Sequence, residues 1–408
     1  MKVRYPPRNR LTALACLATG TAVSLAAVVA TASPASAQTP MRQQPIPTVA
    51  STTELGPVHQ NARVDARDNG QSVLYHGRSV WFFDDTILQD PFDFLSSTAA
   101  VTSDLDAADG IDLTSSNAFD EHSTGAPTNF VPYSAAETEF QDDHASDDCT
   151  GSSDPYCGTV FAFWPGAALS DPAHHRILVS YGKLCRGGLE GTPCASGFVG
   201  QGIGAGFVSV DMRKHTVTRL TAQHQTADLP SPEGTDQTIF FSLDDDWGGA
   251  GLVRRGNVLY AYGKCTGDGC GVARVPLSRV QDLRAWRYYA GTDHGRARWS
   301  ADSGDAVTVI GQGSAGGTVS ADPQFGGYLH TYMPALSKTT LYQTAPHPWG
   351  PWSTPKTLYT APSGSGTTYA AYGHPEYDSH HGLTKYFTYY DSATGDQMLV
   401  RVDFRRGH

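Results

Sequence analysis

Short runs of aromatic and β-branched residues alternate with Gly, Pro, Asp and Ser clusters along almost the whole chain. No stretch sustains a helical apolar period, so the pattern predicts strands and turns. Three stretches align without gaps: Arg78-Ser-Val-Trp-Phe-Phe-Asp-Asp85, Arg176-Ile-Leu-Val-Ser-Tyr-Gly-Lys183 and Asn257-Val-Leu-Tyr-Ala-Tyr-Gly-Lys264. Looser copies begin at Gly327 and Leu383, and a second, more exposed strand follows the last four units at Gly206, Gly271, Thr340 and Gln397. A strand–turn–strand unit repeated five times predicts an all-β chain folded as a five-bladed β-propeller, a β-sandwich being the alternative. Spacing between units shrinks along the chain, which places long insertions in the early blades.

Composition sharpens this picture. Charged residues are only 17% of the 408 and aromatics reach 10%, which excludes a coiled coil and argues against disorder. The acids are seven Glu and 33 Asp, a balance that suits turns. A net charge of −11 leaves no basic surplus for a phosphate backbone, so no nucleic-acid partner is expected.

Lys2, Arg4, Arg8 and Arg10, an apolar run from Leu11, and Ala35-Ser-Ala37 read as a signal peptide over residues 1–37. The protein is thus expected to be secreted and extracellular, not inserted in a membrane after cleavage, and monomeric. Residues 38–55, rich in Pro, Gln and Thr, read as a linker, and residues 56–408 as the propeller. Six Cys remain after the leader. Local pairs Cys149–Cys157, Cys185–Cys194 and Cys265–Cys270 are the simplest arrangement in an oxidising compartment; zinc is the rival, without Cys-x-x-Cys spacing to support it.

A propeller brings its innermost strands to one axis, and the chemistry depends on which charged groups reach a mouth of that axis. In the first hairpin, a turn centred on Gly77 sets Asp68 opposite Thr86 and Asp85 opposite Asn69, with both carboxylates at one end. Two such carboxylates suit glycoside hydrolysis. Equally, Asp68-Asn-Gly70 is a turn signal and Asp84-Asp85 a strand end. Lys183 and Lys264 occupy the positions equivalent to Asp85. They could tune a base carboxylate or bind sugar hydroxyls, or pair with Asp244, Asp245 or Asp246. Asp246 precedes the third inner strand, and Trp247 beside it could stack on a sugar or fill the core. His374-Pro-Glu376 offers a further acid, as do Glu137 and Glu139 in the second insertion. Asp104–Asp112 resembles a calcium loop with a displaced Gly and with Ser115 in place of the bidentate Glu, so no cofactor or metal is required. Gly202-Ile-Gly-Ala-Gly-Phe207 lacks a strand–helix setting and reads as a blade turn. No Gly-x-Ser-x-Gly elbow occurs.

Arg67-Asp-Asn-Gly70, Ser79-Val-Trp-Phe-Phe-Asp-Asp-Thr86, Gly125-Ala-Pro-Thr-Asn-Phe-Val-Pro132, Pro348-Trp-Gly-Pro-Trp-Ser353 and Gly373-His-Pro-Glu376 stand in an order that resembles a family of secreted actinobacterial five-bladed propellers. That group, long a domain of unknown function, includes endo-D-arabinanases, and the likeness runs from about residue 58 to 403. It implies a glycoside hydrolase acting on a furanoside polysaccharide such as D-arabinan, with Asp68 and Asp85 as the essential acids. The chain departs from the family pattern at Asn69 and Asp84, where Gly is usual, which implies a reshaped site. Glu376 stands as the alternative acid, and Asp246, Trp247, Lys183, Lys264, Glu139 and His374 as substrate-binding residues. The rival readings are a non-catalytic propeller that binds glycan or cell wall through Trp247, Trp349 and Trp352, and an exported protein-binding scaffold.

Overall fold

Each of the five aligned stretches is the second strand of its own sheet. The computed structural model describes residues 45–114, 125–146, 148–195, 199–225 and 229–406. From the axis outward, blade one comprises Val64–Tyr75, Arg78–Leu88 and Thr98–Thr102. Blade two comprises Val160–Asp171, Arg176–Arg186, Gln201–Asp211 and Thr216–Arg219. Blade three runs from Gly251–Arg255 through Val258–Thr266, Gly269–Pro276 and Arg287–Asp293 to Arg296–Ser300. Blade four comprises Gly317–Asp322, Gly327–Tyr332, Thr339–Ala345 and Lys356–Thr360. Blade five begins with Thr368–Gly373, Thr384–Asp391 and Asp396–Arg405. Its outermost strand, Thr48–Pro57, comes from the other end of the chain and pairs antiparallel with Asp396–Arg405. The innermost strands touch in the order one to five and back to one, which closes the propeller.

That closing strand corrects the linker reading, since residues 48–55 belong to the fold. Polar composition misleads here because an outermost strand keeps one edge and much of its surface in water. The expected signal peptide lies outside the described residues; among these, no helix is long and apolar enough to cross a membrane.

The continuous hydrophobicity of the second strands follows from the packing. Val80 and Phe82 pack toward blade two with Phe161, Phe163 and Val179. Trp81 and Phe83 point the other way, to Tyr377, Tyr386 and Leu399 of blade five. Side chains alternate between faces with period two, but both faces here are blade interfaces, so apolar residues occupy consecutive positions. Blades two and three, three and four, and four and five bury comparable clusters.

Two local expectations change. Gly202–Phe207 lies within a strand rather than a turn; a Cβ at Gly206 would stand 2.2 Å from the Thr238 carbonyl, so the glycines serve close approach. The second insertion contains a helix, Ala135–His144, whose capping box joins Ser134 to Glu137 through reciprocal bonds of 3.2 and 2.7 Å. It carries one large apolar residue, Phe140, too little for a periodic signal. In the Asp104–Asp112 loop, Asp104 and Asp106 accept backbone N–H groups two residues on, as Asx turns do; Ser115 lies outside the described residues.

The three disulfides join Cys149–Cys157, Cys185–Cys194 and Cys265–Cys270. Replacing Cys185 and Cys194 by Ala should cost about 2–3 kcal/mol, as expected for a short loop. Denaturant unfolding of the variant against the parent checks this; an unchanged midpoint would refute it.

Candidate active site

The first hairpin turns on His76 and Gly77, both at positive φ, and Tyr75 pairs with Arg78. The expected centre on Gly77 is therefore out of register by half a step. The consequence appears at the other end. Arg67 pairs with Thr86 and Asn69 with Phe83, so Asp68 alone faces both Asp84 and Asp85. Two residues against one is a β-bulge, which breaks strict alternation and re-aims side chains. Asn69 at φ 63° and Gly70 at φ 103° adopt the left-handed conformation that this irregularity requires. Asp68-Asn69-Gly70 is thus bulge chemistry inside a strand. All three carboxylates reach a single cavity of about 620 Å³ at one mouth of the axis, which residues of all five blades line.

Their surroundings differ. Asp85 is buried and gripped by Arg186, with Nη1–Oδ2 and Nη2–Oδ1 both 2.8 Å, and it also accepts Trp164 Nε1 at 3.2 Å. This forked, charge-assisted pairing fixes its orientation and leaves it few lone pairs to spare. Asp84 is buried, takes one bond from Asn69 Nδ2, and has no partner at Oδ1. Burial and the charges of Asp68 and Asp85 push its pKa well above the usual carboxylate range. Asp68 accepts the Tyr369 hydroxyl at 2.8 Å on Oδ2. Burial, followed by the Asp85 charge, raises its pKa to about 7. Three acids share one guanidinium, so full ionisation is electrostatically expensive and protons are retained.

Asp246 reaches the same cavity from blade three. Its position is set by glycines: a Cβ at Gly249 would stand 2.1 Å from its Oδ2, and one at Gly263 would stand 1.7 Å from its backbone oxygen. Burial lifts its pKa to about 6, against a bond from the Gly249 N–H. The cavity therefore presents one carboxyl on blade one and another on blade three, both titrating near neutrality. Arg186, Trp164 and Tyr369 went unread in the sequence. The one local hint to Arg186 is its place beside Cys185, just past the aligned unit.

The other sequence candidates sit elsewhere. Lys183 is fully buried among Glu137 at 2.6 Å, Asp236 at 2.9 Å and Glu233, so it is not at the mouth. Strand alternation explains this: Arg186, three residues on, takes the opposite face from Lys183 and reaches Asp85. Glu137, Glu233 and Asp236 lie close enough to share an ion, but Lys183, with Arg219 bound to Glu137 and Asp236, already supplies the positive charge. Lys264 pairs with Asp245 at 3.0 Å and donates to the Ser303 carbonyl at 3.0 Å, a structural role. Trp247 is buried against Tyr288 with ring centroids 5.0 Å apart and presents no face to a sugar. Trp349 and Trp352 pack beside Tyr260 and Tyr262 in the interface of blades three and four. Glu139 is exposed on the helix and does not line the cavity. Glu376 takes the Ser79 hydroxyl at 2.7 Å and lines a separate cavity of about 380 Å³ between the inner strands. His374 is buried between Ser72 and Thr388, at 2.6 and 2.9 Å, and burial lowers its pKa to about 3.

Residues 211–399 match the family described as "Domain of unknown function (DUF4185)". No curated protein sequence matches the chain. Among solved structures, a GH43_1 enzyme from Xanthomonas citri, crystallised with xylotriose, is 13% identical, with 87% of this chain and 90% of that one covered and a TM-score of 0.44. An α-L-arabinofuranosidase from Podospora anserina in complex with cellotriose is 10% identical, with 89% and 98% covered and a TM-score of 0.40. A protein of unknown function from Dyadobacter fermentans is 8% identical, with 88% and 100% covered and a TM-score of 0.40. At such identities and TM-scores, none of them bears on the chemistry of this chain.

Proposed function

We propose that this protein is a secreted glycoside hydrolase that cleaves a furanoside polysaccharide, with D-arabinan as the substrate its sequence resemblance implies. One observation carries the reading: Asp68 on blade one and Asp246 on blade three line a single open axial cavity, while Arg186 grips Asp85 beside them with a forked pair of bonds. Asp68, protonated up to about pH 7, donates its proton to the glycosidic oxygen as the bond from that oxygen to the anomeric carbon breaks. Asp246, ionised above about pH 6, takes a proton from the water that attacks the anomeric carbon. After one turnover Asp246 holds the proton and Asp68 has lost one, and exchange with solvent restores both. Asp85 does not move a proton in this scheme. With its oxygens committed to Arg186, its charge keeps Asp68 protonated, so the Asp68–Asp85 pair becomes one acid and one positioning residue.

The deciding experiment incubates the protein lacking residues 1–37 with D-arabinan, L-arabinan, fructan and galactan and measures new reducing ends. Release of oligosaccharides from D-arabinan is expected, together with loss of that release in Asp246→Asn. Binding of a polysaccharide without any cleavage would sink the hydrolase and leave a glycan-binding propeller.

A further inference from the structure

At the far end of blade three from the axial cavity, four arginines line one groove of about 340 Å³: Arg274, Arg279, Arg284 and Arg287. Val258 lines this groove and Cys265 lines the axial cavity. They stand at opposite ends of one strand, roughly 20 Å apart at the usual rise. Among the described residues no carboxylate lines the groove.

This is an anomaly for a chain with 40 acids against 29 lysines and arginines. Elsewhere most of its buried cations are matched by carboxylates: Arg186 by Asp85, Arg219 by Glu137 and Asp236, Lys385 by Asp322 and Asp378; the buried Arg67 instead lies over Phe83 and donates to Gln60. Around the groove, one carboxylate, Asp282, serves Arg279 at 2.5 Å and is shared with His224 at 2.9 Å. Two guanidiniums are held in place by groups that do not neutralise them. Arg274 lies over the Trp299 ring at 4.2 Å, and Arg287 donates to the carbonyls of Arg284 and Trp286 at 2.8 and 2.7 Å. Arg279 and Arg284 are exposed.

We infer that this groove is a binding site for a phosphate group, carried by a glycan or polyol polymer or free in solution. Two preset forks and two adjustable ones converge there from three chain segments. A carboxylate offers two oxygens in one plane and a single negative charge. A tetrahedral phosphate presents oxygens in several directions, which matches the groove. Pro276 and Ala285 give the floor an apolar surface against which the body of such a ligand can rest. The site is independent of the axial cavity, so its occupancy would hold the protein on an anionic polymer without blocking that cavity.

Calorimetric titration in about 20 mM salt, where screening is weak, tests this with inorganic phosphate, polyglycerol phosphate and polygalacturonate. Both phosphate ligands are expected to bind at least about tenfold more tightly than polygalacturonate, and binding should weaken about tenfold or more in Arg279→Ala/Arg284→Ala. Both side chains are exposed, so an unchanged melting temperature should show that this variant stays folded. Arg284→Lys keeps the charge but loses the fork, and is expected to recover only part of the affinity. Comparable affinity for polygalacturonate, no loss in the double variant, or full recovery with Lys would each overturn the site as a mere diffuse charge. Tighter binding of polyglycerol phosphate than of inorganic phosphate would identify the polymer as the source; equal binding would identify the free ion.

Discussion

Asp68→Asn and Asp246→Asn should each fold like the parent and lose about 10²–10⁴-fold in kcat, the usual worth of a positioned proton donor or acceptor. The changes are nearly isosteric and remove only the proton chemistry. The pH profile of the parent separates the roles. Activity should rise as Asp246 ionises through about pH 6 and fall as Asp68 loses its proton through about pH 7, giving a narrow bell. Asp85→Asn removes a negative neighbour that raises the Asp68 pKa, so the alkaline limb should move to lower pH. A profile flat from pH 5 to 8, or full activity in both Asn variants, would eliminate this pair.

The largest stability effect is expected at Arg186. Arg186→Met leaves the buried Asp85 carboxylate without its cation, beside Asp68 and Asp84, and should cost about 3–5 kcal/mol. Stability of parent and variant alike should fall as pH rises from about 4 to 7, because the Asp68 carboxyl then loses its proton inside the fold. The sign follows from Asp68. Its pKa is raised in the folded state, so folding takes up protons between about 4 and 7 and stability falls as pH rises through that window. Removing the orphaned charge as well, in Arg186→Met/Asp85→Leu, should restore most of the lost stability. Urea unfolding of the two variants at both pH values measures this. A single variant as stable as the parent at pH 7 would show that the pair contributes little.

How much of this was legible in the chain depends on the range of the contacts. The repeated apolar runs were enough for five blades, because a strand buried on both faces shows its packing directly in composition, as Ser79–Phe83 does. The three disulfides were legible because each closes a short loop. That Asp68 and Asp85 lie together at one end of the first hairpin is legible because it is a local feature, although the bulge shifts the register. Thr48–Pro57 was missed because its partner strand lies at the opposite end of the chain. Lys183 was placed wrongly because aligned positions share a strand but not a partner; one residue of register exchanges the cavity for the interior.

By itself the sequence determined the all-β class, the repeat, the disulfides and the nearness of Asp68 to Asp85, since each rests on neighbouring residues and the periodicity of a strand. Only the tertiary structure decided which carboxylates share a cavity, that Arg186 neutralises Asp85, that Asp246 comes to the same cavity as Asp68, and that Glu376 does not. Those outcomes depend on ring closure and on a bulge that turns Asp84 and Asp85 toward one side. Burial and charge between groups far apart in the chain then set each proton affinity.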